Sequence, residues 1–158
     1  MIKYTDTKVV MSEIPDEITL AINLSNCPCH CKGCHSPYLA EDIGEELTIE
    51  RLVELVVANE GITCVAFMGG DNDPERVALL AKLVKEQLEL KSCWYSGRDD
   101  ISKDIDLLSF NYIKVGHYDE DYGPITNPNT NQVLFQVFKG EYCTILEDIT
   151  FKFWKHEN

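Results

Sequence analysis

The chain has 158 residues, 44% of them apolar, which is enough to bury the core of one domain without help from disulfides. A formal net charge of −13 and a sequence pI near 4.6 repel phosphate backbones and anionic lipid, so neither nucleic acid nor a membrane surface is an expected partner. No stretch approaches the roughly 18 apolar residues that span a bilayer, the first residues carry no charged-then-apolar signal, and four of the seven cysteines crowd too closely to pair as a secreted framework; together these predict a cytoplasmic protein.

In chain order, residues 18–24 (Ile-Thr-Leu-Ala-Ile-Asn-Leu) read as a strand, with a cysteine-rich loop at its C-terminal end. Thr48 caps a helix with apolar positions at Ile49, Leu52, Val53, Val56 and Val57, ending near Gly61. Residues 64–68 are wholly apolar, as in a strand covered on both faces. Asp73-Pro74 opens the next helix, with a stripe at Val77, Leu80, Ala81, Val84 and Leu88. Residues 92–95 predict a strand, 101–110 a short helix and 112–115 a further strand. A turn-rich loop runs through Gly123-Pro124 and Asn127-Pro128-Asn129; residues 133–138 and 150–154 then read as closing strands, with a hairpin across Gly140-Glu141.

This alternation predicts an α/β fold around a parallel sheet with right-handed crossovers. Three or four strand–helix units fit the length, too few for a closed eight-fold barrel, so an open partial barrel or a doubly wound sheet remains. In either, ligands collect at the C-terminal ends of the strands. The cysteine loop, Gly69-Gly70-Asp71 and Ser96-Gly97-Arg98 all fall at such ends.

The loop at 27–34 reads Cys-Pro-Cys-His-Cys-Lys-Gly-Cys, four cysteines in eight residues. Within it Cys27, Cys31 and Cys34 form a C-x3-C-x2-C triplet. Three thiolates can hold three irons of a four-iron cluster and leave the fourth open, whereas four thiolates close it for electron transfer. Two other readings stand beside this one. A structural zinc site could use all four thiolates, although zinc knots usually draw on two separated halves. A closed electron-transfer cluster could recruit Cys29, Cys64, Cys93 or Cys143.

The triplet with Lys32-Gly33 inside it, Met68-Gly69-Gly70-Asp71, Trp94-Tyr95-Ser96-Gly97 and Asn131-Gln132-Val133, in this order, resemble the radical S-adenosylmethionine (SAM) enzymes. More narrowly they resemble the subfamily that activates the anaerobic ribonucleoside-triphosphate reductase. The resemblance runs from about residue 18 to 137. It implies a partial, open parallel βα barrel of the radical SAM type with extra N- and C-terminal strands. The chain would then be a single domain, with its core over about 18–138 and an extension over 139–158.

The resemblance further implies a [4Fe-4S] cluster on Cys27, Cys31 and Cys34, with SAM chelating the remaining iron. One electron, from reduced flavodoxin or a similar donor, breaks a carbon–sulfur bond of SAM to give methionine and a 5′-deoxyadenosyl radical. That radical takes a hydrogen from a glycine of the reductase, the protein partner. Gly33, Cys34 and His35 would lie beside the cofactor. Gly69 and Gly70 would bare backbone groups to its ammonium, Asp71 would add a carboxylate there, and Ser96 would meet the ribose. No side chain is required as acid or base. Two departures are visible: Gly33 stands where many relatives carry an aromatic residue, and Asn72-Asp73-Pro74 places the proline later than the commonest form.

Several residues have plainer roles. Cys64 and Cys93 read as small buried side chains, and Trp94 and Tyr95 as sheet packing. Gly69-Gly70 alone would serve as a strand-end turn. His117 with Asp119, Glu120 and Asp121 reads as a solvated acidic turn. His30 borders the loop without an assigned role, and the smaller alternative activity is a radical enzyme acting on a small molecule, similar to a deazapurine synthase.

Overall fold

Four short runs, residues 19–24, 64–68, 91–95 and 112–115, are buried almost throughout and form the centre of the molecule, covered on both faces. The computed structural model describes residues 1–29 and 37–154. Its strands are β1 (Lys3–Val10), β2 (Thr19–Leu24), β3 (Glu45–Glu46), β4 (Cys64–Met68), β5 (Lys91–Tyr95), β6 (Tyr112–Val115), β7 (Val133–Lys139) and β8 (Thr144–Asp148). They make one open eight-stranded sheet in the order β3-β1-β2-β4-β5-β6-β7-β8. The central four run parallel, and antiparallel strands extend the sheet on each side. The fold is thus α/β with a mixed, unclosed sheet.

Helices α1 (Ile49–Val57) and α2 (Pro74–Glu86) begin where the sequence places them. The Thr48 hydroxyl accepts the Arg51 N–H at 3.0 Å, and the Asp73 carboxylate accepts the Arg76 N–H at 3.3 Å. Caps of this kind contribute about 1 kcal/mol each. Leu52 of α1 and Val77, Leu80, Ala81 and Val84 of α2 are buried, whereas Val57, at the end of α1, is exposed. Both helices pack into one apolar layer with Leu20, Ile22, Leu24, Val65, Phe67, Trp94 and Ile113. Trp94 stacks on Phe110 with centroids 5.8 Å apart.

The opposite face carries Cys64, Ala66, Cys93, Tyr95, Tyr112 and Leu134, and its cover is Ile14, Ile149 and Phe153. Those three come from a loop and a C-terminal turn. Within the described residues, therefore, the helices occupy one side and irregular chain the other. No helix among the described residues is long and apolar enough to cross a membrane.

Two expected elements differ. Residues 101–110 do not form an α-helix; only a single 3-10 turn, Leu107–Ser109, is present. The Ser102 hydroxyl accepts the Asp104 N–H at 3.2 Å and the Asp106 carboxylate the Leu108 N–H at 3.0 Å, so side chains take the bonds that a helix would need. The closing hairpin does turn at Gly140, whose N–H donates to Cys143 at 2.8 Å, but the return strand is β8 and not residues 150–154. Asp148 ends it by accepting both the N–H and the hydroxyl of Thr150, at 3.0 and 2.6 Å. A 3-10 turn, Thr150–Phe153, follows and lays Phe153 on the sheet.

The N-terminal ends of the parallel strands are tied by one carboxylate. Glu17, 5% exposed, accepts from Thr63 Oγ1, Lys91 Nζ and the Tyr112 hydroxyl, each at 2.7 Å. Burial alone would raise its pKa, but the hydrogen bonds from Lys91, Thr63 and Tyr112 outweigh burial and hold it below the ordinary value. A depressed folded pKa gives stability that is present above the unfolded value, about 4.3, and lost as the pH falls through the folded one. Glu17→Ala should therefore cost about 3 kcal/mol at pH 7 and flatten the acid limb of the stability–pH curve, as followed by urea unfolding. Unchanged stability, or an unchanged acid limb, would contradict this role.

Candidate functional site

Beyond Leu24 the chain leaves β2 at Asn26, whose φ of 58° turns it sharply away from the sheet. The N–H groups of Asn26 and Cys27 then donate to the carbonyls of Glu41 and Leu39, at 2.9 and 2.8 Å. Pro37–Ala40 is a 3-10 turn, so the segment that opens at Cys27 is pinned to its own return limb. Of the three expected iron ligands, Cys27 stands at this base and is half-buried. Cys31 and Cys34, with Gly33, His35 and His30, lie outside the described residues.

The parallel register sets Asn23 beside Met68 and Met68 beside Tyr95, so the chain beyond β2, β4 and β5 emerges at one level. At the end of β4, Gly69 and Gly70 have φ of 110° and 88°, a pair that favours glycine twice over. A Cβ on Gly70 would come within 2.5 Å of Val77 Cγ2 and 2.9 Å of Leu24 Cδ1. The Gly69 N–H donates to Tyr95 at 3.0 Å, its carbonyl accepts from Trp94 Nε1 at 2.7 Å, and the Gly70 carbonyl accepts the Asp73 N–H at 3.0 Å. Each carbonyl has a second lone pair for another donor. Trp94 is a core residue, 1% exposed, and it also aims this turn.

Asp71 follows, 3% exposed, at the meeting of three loops. Its Oδ1 accepts the Ser96 hydroxyl at 2.5 Å, and its Oδ2 accepts the Gly97 N–H at 2.9 Å and the Cys29 thiol at 3.7 Å. Ser96, 2% exposed, also accepts the Arg98 N–H at 3.1 Å. The structure thus brings Gly69, Gly70, Asp71 and Ser96 together with the first limb of the cysteine loop. The Cys29 contact has no sequence signal beyond its place between two expected ligands.

Among the described residues, two clefts open on this end. One, of about 480 Å³, is lined by Pro28, Cys29, Gly97, Arg98 and His117 among others. His117 Nδ1 meets Asp99 at 2.7 Å, a hydrogen bond that holds the exposed Asp99 carboxyl below its usual range. The other, of about 430 Å³, lies on the helix-free face among Glu13, Met68, Tyr95, Lys114 and Gln132. Both volumes fall within the range of small-ligand sites. Lys114, 9% exposed, holds its amine 5.4 Å from the Tyr95 ring centroid, and burial raises the pKa of Glu13 across from it. In the sequence, a lysine within an otherwise apolar strand could have pointed to this second cleft.

Of the remaining cysteines, Cys64 and Cys93 lie within strands β4 and β5 and Cys143 in a turn. Cys64 opens β4 at the far end of the sheet, four residues and so roughly 13 Å below Met68. Burial pushes its thiol up to about 12 and the Cys93 thiol well above the ordinary value, far from the thiolate form that metals bind. Cys143 is exposed in the β7–β8 turn; β7 is antiparallel to β6, which puts that turn at the far end too. Buried thiols so far from the thiolate form, and a thiol at the opposite end of the sheet, suit a fourth cluster ligand poorly.

No family model matches the chain, and no curated protein or solved structure matches it either. The site therefore rests on its own residues.

The steric demand at the glycine pair is open to a direct check. Gly70→Ala should cost about 3 kcal/mol through φ strain and overlap with Val77. Gly61→Ala, also at positive φ (88°) but with nothing within 4 Å of the new Cβ, should cost about 1 kcal/mol. Chemical denaturation of the two variants measures the difference; equal costs would contradict the packing argument.

Proposed function

We propose that this chain is a radical SAM activase that generates the glycyl radical of an anaerobic ribonucleoside-triphosphate reductase. The observation that carries the reading is the convergence of the first limb of the cysteine loop, residues 27–29, with Gly69-Gly70-Asp71 and Ser96 at the level C-terminal ends of three adjacent parallel strands. The architecture supports it in a second way. A doubly wound sheet carries helices on both faces, whereas here both α-helices share one layer. Helices on one side of an open, mixed sheet would suit a partial barrel of the radical SAM type, flanked by antiparallel strands.

The donor set fits the implied groups. Cys27, Cys31 and Cys34 would ligate a [4Fe-4S] cluster, and soft thiolates are the ligands that such a cluster selects. Cluster and SAM together supply one-electron cleavage of a carbon–sulfur bond, with reduced flavodoxin or a similar donor providing the electron. The protein's share is geometry. Gly33, Cys34 and His35 would flank SAM; the carbonyls of Gly69 and Gly70, already bonded to Trp94 Nε1 and the Asp73 N–H, would offer their second lone pairs to its ammonium. Asp71 adds negative charge beside them, and Ser96 is held against it for the ribose. The unclosed sheet suits a large partner, since a glycine loop can enter from a flank that a small-molecule enzyme would seal.

Anaerobically reconstituted protein should bind about four iron and four sulfide per chain. With dithionite it should convert SAM to methionine and 5′-deoxyadenosine. Replacing Cys27, Cys31 or Cys34 by alanine should lower that cleavage at least about 100-fold, because removal of a ligand removes the centre itself. Cleavage that persists in these variants would end the proposal. Incubation with the co-expressed reductase should give a glycyl doublet by electron spin resonance; product from a small molecule, without that doublet, would favour the deazapurine-type alternative.

A further inference from the structure

Cys29 stands between two expected cluster ligands, and the triplet gives it no part. We propose that the buried Asp71 carboxylate latches the cysteine loop to the sheet through Cys29, which makes Cys29 a positioning residue and not a metal ligand. The inference rests on the functional reading above.

The geometry is specific. Asp71 is fixed at both oxygens from the β5 side, by the Ser96 hydroxyl at 2.5 Å and the Gly97 N–H at 2.9 Å, so its Oδ2 is presented in one direction. The Cys29 thiol donates to that same oxygen at 3.7 Å. Gly97 makes the seat. A Cβ there would lie 2.9 Å from Cys29 Sγ and 3.3 Å from its Cβ, so only the absence of a side chain admits the sulfur. One carboxylate thus joins the loop after β2, the turn after β4 and the loop after β5. It does so next to Cys27, whose own N–H pins the loop base to Leu39 at 2.8 Å. The latch restricts the first limb of the loop, residues 27–29, before any metal arrives, and so slows the loss of a bound metal.

The test uses the full chain loaded anaerobically with iron and sulfide, and reads iron release to a chromogenic chelator. Cys29→Ala should keep the metal stoichiometry and release iron about fivefold faster, the worth of one modest hydrogen bond. Cys29→Ser retains a donor and should lie within about twofold of the unmodified protein. Gly97→Ala, which ejects the sulfur, should match Cys29→Ala, and the double variant should be no worse than either, since the smaller side chain frees the space. In metal-free protein the Cys27 and Gly97 amides should exchange faster in Cys29→Ala and recover in Cys29→Ser. Release and exchange in Cys29→Ala equal to the unmodified protein would overturn the latch. So would loss of metal stoichiometry in Cys29→Ser, which would make Cys29 a ligand. Failure of SAM to react with the unmodified protein would sink the activase reading instead, and these release rates would still judge the latch.

Discussion

Everything at the candidate site depends on the parallel register of β2, β4 and β5. Because Asn23, Met68 and Tyr95 lie side by side, the next residues of each strand emerge on a common rim. Hydrogen bonds then lock the rim. Trp94 holds the Gly69 carbonyl, and Asp71 holds Ser96, Gly97 and Cys29. The far end is organised by the opposite device, a single acceptor, Glu17, that gathers Thr63 just before β4, Tyr112 of β6 and the Lys91 amine that opens β5. The Glu17 contacts and the candidate site thus lie at opposite ends of one sheet.

Much of this was legible in the sequence, for identifiable reasons. The β2, β4, β5 and β6 strands were visible as apolar runs because they are covered on both faces, and α1 and α2 because Thr48 and Asp73-Pro74 are strong start signals. Residues 101–110 misled because apolar spacing alone suggests a helix, while Ser102 and Asp106 bind the backbone locally. Residues 150–154 carry the β-branched and aromatic composition of a strand, yet their apolar atoms cover the sheet's second face from a 3-10 turn set by Asp148. The rim at Gly69-Gly70-Asp71 and Ser96 followed from strand ends. The Cys29–Asp71 contact did not, since it depends on how a loop folds back, for which no periodicity exists.

The lopsided covering of the sheet also bears on function. Helices seal one face, whereas the other is covered by Ile14, Ile149, Phe153 and the loop that carries Ile125. Trp154 Nε1 donates to the Ile125 carbonyl at 3.1 Å, and the Thr150 hydroxyl accepts the Leu134 N–H at 2.9 Å, so the extension past residue 139 fastens that covering. The cleft with Lys114 and Tyr95 opens within it, close to the rim. On the proposed reading, the chain itself would need to supply little beyond the rim. The cluster and SAM would perform the bond cleavage, and the partner would bring its glycine to the rim.

The central claim is that one iron of the cluster is left for a small molecule to bind. The most direct measurement is the electron spin resonance spectrum of the reduced, reconstituted protein, recorded before and after addition of SAM. An under-coordinated iron predicts a clear change in the g-values as SAM chelates it. A spectrum indifferent to SAM, or a bound metal with no paramagnetic reduced state, would contradict the account.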